Sequence, residues 1–167
     1  MHAEALDFVR RALAEDVGDT YGLRVLEIGS HSEYREGQPR DLCVGADYLG
    51  IDRLAGRNVD LVCDAADFDG AGRYDLVICC EVLEHAPVPA VVLASAWRAL
   101  RPGGRLILTL AGPERAPHSC DGGPLKPPEH YRGVPVDEVR QLLSDWQDVR
   151  TEVYPARGDV YAHAMRP

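Results

Sequence analysis

The sequence predicts an α/β fold with a mostly parallel sheet of about seven strands and a terminal antiparallel hairpin. Short apolar runs that end at glycine or aspartate alternate with stretches of helical periodicity along the chain. The spacing between these runs fits crossover connections, which give a parallel sheet with right-handed turns. The last two runs alternate in polarity and flank Pro155-Ala156-Arg157-Gly158, which is typical of a hairpin.

Seven apolar runs are the predicted strands. They cover residues 23–29, 48–52, 59–63, 74–80, 105–110, 149–154 and 159–165. Apolar residues at helical spacing predict helices over 3–15, 88–100 and 135–146. Residues 30–46 contain Gly and Pro and are predicted as a loop with at most one helical turn. The Pro-rich stretch 111–134 is a longer loop, and loops of that length are usually functional or disordered.

One domain accounts for the whole chain of 167 residues, of which 46% are hydrophobic. A chain of this size buries enough surface to fold without disulfides or a metal. We divide the domain into an N-terminal helix (1–22), a ligand-binding core (23–110), a substrate-side loop (111–134) and a closing helix and hairpin (135–167).

Charge and composition argue against several kinds of partner. The net charge of −9, with no run of Lys or Arg, disfavours binding to a phosphate backbone. The charged N-terminus does not fit a secretory leader, and no uncharged stretch reaches the roughly 20 residues of a membrane span. Five cysteines without CxxC spacing favour a reducing compartment and give no zinc site. We therefore expect a cytoplasmic protein with no nucleic-acid partner, no membrane association and no metal.

Three carboxylates follow consecutive predicted strands. Glu27 lies near the end of the first strand, Asp52 ends the second and Asp64 follows the third. Ligands of open α/β sheets bind outside the carboxyl ends of the strands, so these side chains are expected to share one crevice. A carboxylate at the tip of the second strand can accept both hydroxyl protons of a ribose.

At these residues the chain resembles the class I S-adenosylmethionine-dependent methyltransferases. The matching segments cover about residues 23–110 in the family's order. They are Val25-Leu26-Glu27-Ile28-Gly29-Ser30, Tyr48-Leu49-Gly50-Ile51-Asp52, Val59-Asp60-Leu61-Val62-Cys63-Asp64-Ala65, Tyr74-Asp75-Leu76-Val77 with Glu81-Val82-Leu83-Glu84-His85, and Leu100-Arg101-Pro102-Gly103-Gly104-Arg105-Leu106. The resemblance implies the Rossmann-like fold of that family and S-adenosyl-L-methionine as the cofactor.

The resemblance also implies a role for individual residues. Glu27 and Gly29 would shape the turn below the methionine part of the cofactor, and Asp52 would hold the ribose hydroxyls. Asp64 would accept a hydrogen bond from the adenine amine, and Glu81 would line the sulfonium end. The full set of cofactor-binding residues implied in this way is Glu27, Gly29, Ser30, His31, Asp52, Arg53, Asp64, Ala65, Cys80 and Glu81.

The glycine loop departs from the family's usual pattern of three alternating glycines. His31 and Glu33 stand where the second and third glycines are expected, and the short stretch before the second strand predicts a reduced or missing helix. This pattern resembles a subgroup with Glu-x-Gly-Ser, a polar loop ending in arginine (here Arg40) and Tyr-x-Gly-x-Asp. The loop also excludes a dinucleotide site, because no Gly-x-Gly-x-x-Gly opens a full helix for a pyrophosphate.

The expected reaction is methyl transfer to an oxygen or a nitrogen of a small molecule. Such a transfer needs alignment of the acceptor, and a base only where the acceptor must lose a proton. The candidate catalytic residues are His85, His130 and Tyr131, while His118 is expected to be a surface residue.

Three alternatives stay open at this point. One is a nucleic acid or a protein as the methyl acceptor, of which the net charge of −9 disfavours the nucleic acid. The altered glycine loop is also compatible with a non-catalytic relative that acts as a binding or regulatory subunit. The limited sequence outside the core, 1–22 and 111–134, indicates either an open pocket for a small substrate or a site completed by a second copy or a partner subunit.

Overall fold

The computed structural model describes residues 2–32, 37–120 and 123–167. Its centre is one seven-stranded sheet with the order β3-β2-β1-β4-β5-β7-β6. The strands are β1 (Arg24–Ile28), β2 (Asp47–Asp52), β3 (Leu61–Val62), β4 (Tyr74–Cys80), β5 (Leu100–Leu110), β6 (Gln147–Tyr154) and β7 (Asp159–Met165). The first five strands are parallel, and β7 is antiparallel to both β5 and β6. The predicted fold class is confirmed.

Helices cover both faces of the sheet. They are α1 (Ala3–Ala12), α2 (Pro39–Leu42), α3 (Pro89–Ala99) and α4 (Val136–Leu142). On one face, Phe8 and Val9 of α1 pack against Val25 and Ile78 of the sheet. On the other face, α3 and α4 cover a larger apolar core that includes the opposite side chains of β1 and β4. Strands buried on both faces explain the nearly continuous apolar runs of the sequence.

Two predicted segments have different bounds in the structure. The third strand was expected over 59–63, but β3 has only two residues, because it pairs only with the last two residues of β2 at the edge of the sheet. The first helix was expected over 3–15, but regular α-helix ends at Ala12 and continues as a single π turn, Leu13–Val17. Gly18 ends that turn with φ of 77°.

The predicted fifth strand and last helix also have different bounds in the structure. Strand β5 begins at Leu100, five residues earlier than expected, because Leu100 pairs with Tyr74 ahead of an irregularity that spans Arg101–Gly104. The helix expected over 135–146 ends at Leu142, and a tight turn carries the chain to Trp146. Helix α2 has four residues, which agrees with the reduced helix expected in the first loop.

The terminal hairpin lies partly inside the sheet. Strand β7 is paired on both sides, with β5 and with β6, and β6 forms the outer edge. Since β7 runs antiparallel to β5, its first residue lies at the carboxyl edge of the parallel strands. Asp159 therefore joins the residues that follow β4 and β5 at this edge.

Candidate active site

The loop after β1 is tied to the end of β2 by main-chain hydrogen bonds. The amides of Gly29 and Ser30 both donate to the carbonyl of Ile51, at 2.9 and 3.1 Å. Gly29 has φ of 80°, and a Cβ at this position would overlap the side chain of Val82. The left-handed conformation and this close approach explain the glycine. The space beside Gly29 is filled by Val82, the residue that follows Glu81.

Asp52 lies at the tip of β2 and is half-buried. One carboxylate oxygen accepts from the amide of His31 at 3.1 Å, and the other accepts from the amide of Leu54 at 2.9 Å. Each oxygen of a carboxylate can accept two hydrogen bonds, so both retain capacity for a ligand hydroxyl. His31, which replaces a family glycine, thus orients Asp52 through its main chain.

Asp64 follows β3 and caps a short 3₁₀ helix, Ala65–Asp67, by accepting from the amide of Ala66 at 2.9 Å. Its second oxygen lies 3.8 Å from Nε of Arg53. Ala65 is buried below this carboxylate. The carboxylates of Asp52 and Asp64 follow neighbouring strands at the same edge of the sheet, as the sequence predicts.

Glu27 is buried within β1, and its Oε2 makes no hydrogen bond. Burial raises the pKa of the Glu27 carboxyl to about 7, against the opposing effects of Tyr48 and Arg40. The Arg40 guanidinium lies 4.7 Å from the centre of the Tyr48 ring and is paired with Asp60. Arg40, the arginine that ends the polar loop, therefore fixes the groups around Glu27 rather than reaching the crevice.

At the end of β4, the side chains of Cys80 and Glu81 lie in different environments. The Cys80 side chain is buried in the apolar core on the α1 face, so only its main chain can reach the crevice. Glu81 adopts a left-handed conformation with φ of 57°, which is strained for a residue with a side chain. Two contacts with Thr109 hold it: the Glu81 amide donates to the Thr109 carbonyl at 2.8 Å, and the Thr109 hydroxyl donates to Glu81 Oε1 at 3.0 Å.

Two of the candidate catalytic residues, His85 and Tyr131, meet in one group of rings with His118, whereas the ring of His130 is not among the ring contacts that the described residues make in this group. The ring of His85 lies 5.3 Å from that of Tyr131 and 5.4 Å from that of His118. Burial lowers the pKa of His85, and the main chain of His130 is a hydrogen-bond partner of its imidazole. Burial raises the pKa of Tyr131 to about 12, so its phenol stays protonated at neutral pH and serves as a donor rather than a base.

The strand ends fit the hydrogen-bonding groups of S-adenosylmethionine. The ribose hydroxyls, the adenine amine and the ammonium group of that molecule are all donors. The crevice offers carboxylate acceptors at Asp52 and Asp64, and Glu27 is buried in β1 with Tyr48 and Arg40 as its neighbours. Within the described ranges, no cluster of three or more His, Cys, Asp or Glu side chains is arranged to hold a metal ion.

Comparison with known families decides the assignment of the chain. Residues 1–154 match the family model described as a methyltransferase domain. The chain belongs to this family. The resemblance derived from the strand-end motifs is therefore confirmed.

Curated relatives of this methyltransferase domain include O-methyltransferases. A ubiquinone biosynthesis O-methyltransferase of Erwinia tasmaniensis is 32% identical over 111 residues, which cover 58% of this chain and 46% of that protein. The corresponding protein of an Escherichia coli strain is 33% identical over 106 residues, covering 55% of this chain and 44% of the relative. The match thus spans less than half the length of these relatives.

Solved structures agree in fold. A Burkholderia thailandensis 1,6-didemethyltoxoflavin N1-methyltransferase, bound to S-adenosylhomocysteine, superposes with a TM-score of 0.70 at 18% identity, covering 97% of this chain and 78% of that chain. An S-adenosylmethionine-dependent methyltransferase of Mesorhizobium loti gives a TM-score of 0.68 at 16% identity, covering 96% of this chain and 100% of the other. These similarities support the fold of the methyltransferase domain.

Sequence reasoning missed four polar residues near the ring group of this methyltransferase domain. They are His2, Glu84, Arg115 and Asp159. Glu84 belongs to the Glu-Val-Leu-Glu-His motif and could have been singled out there. The other three come from the N-terminus, the long loop and the hairpin, and only the folded structure brings them together.

Proposed function

We propose that this methyltransferase domain transfers a methyl group from S-adenosylmethionine to an oxygen of a small molecule. The observation that carries the proposal is the row of acceptor groups at the ends of β1, β2 and β3, where Glu27, Asp52 and Asp64 match the donors of that cofactor. The O-methyltransferase relatives favour oxygen over nitrogen as the receiving atom.

Each cofactor-binding residue has a role in this proposal. Asp52 holds the ribose hydroxyls and Asp64 holds the adenine amine, while Glu27 and Gly29 support the methionine end. The remaining predicted residues act through their position: Ser30 and His31 fix the loop, Arg53 pairs with Asp64, and Ala65 packs below the adenine. At the end of β4, Cys80 through its main chain and Glu81 line the sulfonium end of the cofactor.

Bound S-adenosylmethionine supplies a methyl group on a positively charged sulfur, which keeps the electron pair of the broken carbon–sulfur bond when the new carbon–oxygen bond forms. The chain must align the acceptor hydroxyl and accept its proton. His85 is the proposed base, since its lowered pKa keeps the imidazole neutral at pH 7. His130 orients that imidazole through its main chain, and Tyr131 donates a hydrogen bond.

One observation favours the alternative of a non-catalytic binding subunit. The main chain of the altered glycine loop already donates to Asp52, so the loop partly occupies the carboxylate intended for ribose. The strained backbone of Glu81 supports an enzyme, because strained residues cluster at active sites.

The predicted partners remain part of this proposal: a small-molecule substrate, no nucleic acid, no membrane, and a second copy or partner subunit as the alternative to an open pocket. The cytoplasmic location is likewise a proposal. None of the helices in the described part of the chain combines the length and apolarity that a membrane crossing requires.

The test is calorimetric titration of ligand-free protein with S-adenosylmethionine and S-adenosylhomocysteine, followed by mass-spectrometric detection of methylated products from a panel of phenols and amines. We expect micromolar or tighter cofactor binding and methylation of hydroxyl acceptors. Failure of a folded sample to bind either ligand would overturn the proposal. Cofactor binding without any methylated product would favour the binding subunit, and methylated amines alone would replace oxygen by nitrogen.

A further inference from the structure

Polar side chains from four distant parts of the chain meet beside the ring group. They come from the start of α1, the segment after β4, the long loop after β5 and the start of β7. We call them the acceptor cluster: His2, Glu81, Glu84, Arg115, Tyr131 and Asp159. The cluster adjoins the proposed cofactor site through Glu81, which directly follows β4 and precedes Val82, the residue in contact with Gly29.

A buried ion pair organises the cluster. Asp159 is 0% exposed, and one of its oxygens accepts from the Arg115 guanidinium at 2.7 Å. The other oxygen lies 3.0 Å from Nε2 of His2. His2 also approaches Glu81 at 3.7 Å, so the N-terminal segment closes over the cluster. Burial of a carboxylate at this depth is costly without such partners.

Three buried polar atoms in the cluster, one each in Asp159, Glu84 and Tyr131, have no hydrogen-bond partner. Glu84 is 0% exposed; its Oε1 accepts from the amide of Ala111 at 3.1 Å, and its Oε2 is unpaired. The hydroxyl of Tyr131 is buried and also unpaired. Electrostatic interactions of Tyr131 with Glu84, Arg115 and Asp159 place its hydroxyl among these groups. A fully buried polar atom without a partner is costly, which indicates a place for a ligand atom.

The charge of the cluster restricts what can bind. Burial and the neighbouring Glu81 raise the pKa of Glu84 to about 8, so Glu84 is mainly neutral at pH 7. The carboxylates of Glu81 and Asp159 then face the single guanidinium of Arg115. Because Asp159 pairs with Arg115, a buried carboxylate offsets the positive charge that an acidic ligand would need.

We propose that the acceptor cluster binds the hydroxyl-bearing end of the methyl acceptor and rejects acceptors that carry a negative charge there. Asp159 sets this selection by neutralising Arg115, while Glu84 and Tyr131 bind the hydroxyl groups. This inference rests on the proposed methyltransferase function and specifies the class of its substrate: a neutral or cationic hydroxyl compound.

Three ring compounds that differ mainly in charge test the selection. They are 1,2-dihydroxybenzene, 3,4-dihydroxybenzoate and 3,4-dihydroxyphenethylamine. Each is titrated calorimetrically into protein saturated with S-adenosylhomocysteine. We expect the benzoate to bind at least about tenfold more weakly than the neutral ring, since like charges at a binding site cost more than the roughly 1.4 kcal/mol that a factor of ten represents.

The Asp159→Asn variant tests the assigned residue. It keeps the size of the side chain and releases Arg115, so we expect the benzoate to bind as tightly as the neutral ring or more tightly. Asp137→Asn is the matched control, because its side chain is 81% exposed on α4 and it removes the same charge outside the site. The control should keep the ranking of the unmodified protein.

The outcomes separate the two proposals. Absence of S-adenosylhomocysteine binding contradicts the proposed function itself. Binding of that ligand, combined with equal affinity for the benzoate and the neutral ring, overturns only the selection. Failure of all three ring compounds to bind also overturns the proposed selection against a negative charge. Should Asp159→Asn not fold, the ranking in the unmodified protein still decides the question.

Discussion

Gly29 and Val82 lie in direct contact, so that a single methyl group on the α-carbon of Gly29 would overlap Cγ2 of Val82. Gly29 begins the turn after β1, and Val82 follows the strained Glu81 at the end of β4. The contact joins the turn of the proposed cofactor site to the segment that carries Glu81 of the proposed acceptor cluster.

Replacement of Gly29 by alanine should lower the free energy of unfolding by about 2–5 kcal/mol, from backbone strain and overpacking. Gly18→Ala is the control: its φ is 77° with no atom near an added Cβ, so only the strain remains. Urea denaturation measures both. The double variant Gly29→Ala/Val82→Ala should lose less stability than the sum of the single losses, and simple additivity would show that the contact is unimportant.

Asp52→Ala should weaken binding of S-adenosylmethionine by about 1–3 kcal/mol, because a charged hydrogen-bond acceptor is removed from the ribose position. Calorimetry on the folded variant provides the measurement. Asp145→Ala removes an exposed carboxylate far along the chain and should leave the affinity unchanged. An unaltered affinity of Asp52→Ala would refute the ribose assignment.

His85→Ala should lower turnover roughly 10²- to 10⁴-fold while sparing cofactor affinity, as expected for loss of a general base. A base must be unprotonated to act, and the pKa of His85 lies below its usual value of 6.5. The rate of the unmodified enzyme should therefore stay level as the pH falls towards 6.5 and decline only below it. A pH–rate profile with an acid limb above pH 7 would argue against His85.

Glu27 should make the protein less stable as the pH rises. Its carboxyl has a pKa of about 7 in the folded state against 4.5 as the reference, so the folded state binds the extra proton between these values. The stabilisation is fully present below pH 4.5 and is lost by about pH 7, a change of up to about 3 kcal/mol. The free energy of unfolding, measured by denaturation at pH 5 and pH 8, should fall less between these values for Glu27→Gln than for the unmodified protein. The control Glu15→Gln, at an exposed site, should show the full fall.

The sequence contains enough local information for most of the fold. The runs that became β1, β2 and β4 are apolar on both faces and end at residues that stop a strand, so periodicity and breakers define them. The sequence overestimates the length of β3, because its apolar residues resemble those of the central strands. In the structure, Leu61 and Val62 lie at the edge of the sheet and are 43% and 56% exposed. Burial depends on neighbours that a local pattern does not contain.

The residues of the candidate site also fall into those that the sequence predicts and those that it does not. Asp52 and Asp64 were found because the carboxyl ends of parallel strands share one edge, so order along the chain is sufficient. Arg115 and Asp159 were not found, because they are 44 positions apart and meet only when the hairpin inserts beside β5.

Insertion of β7 between β5 and β6 also affects how the domain can form during synthesis. The ribosome releases β1 to β5 first, and β5 then exposes an unpaired edge until the chain has emerged as far as Met165. Parallel strands with such an edge are prone to self-association while they wait. The proposed cofactor-binding residues lie between β1 and β4 and can be arranged early, whereas Asp159 reaches its position only when β7 pairs with β5. The proposed acceptor cluster is therefore completed later than the proposed cofactor site.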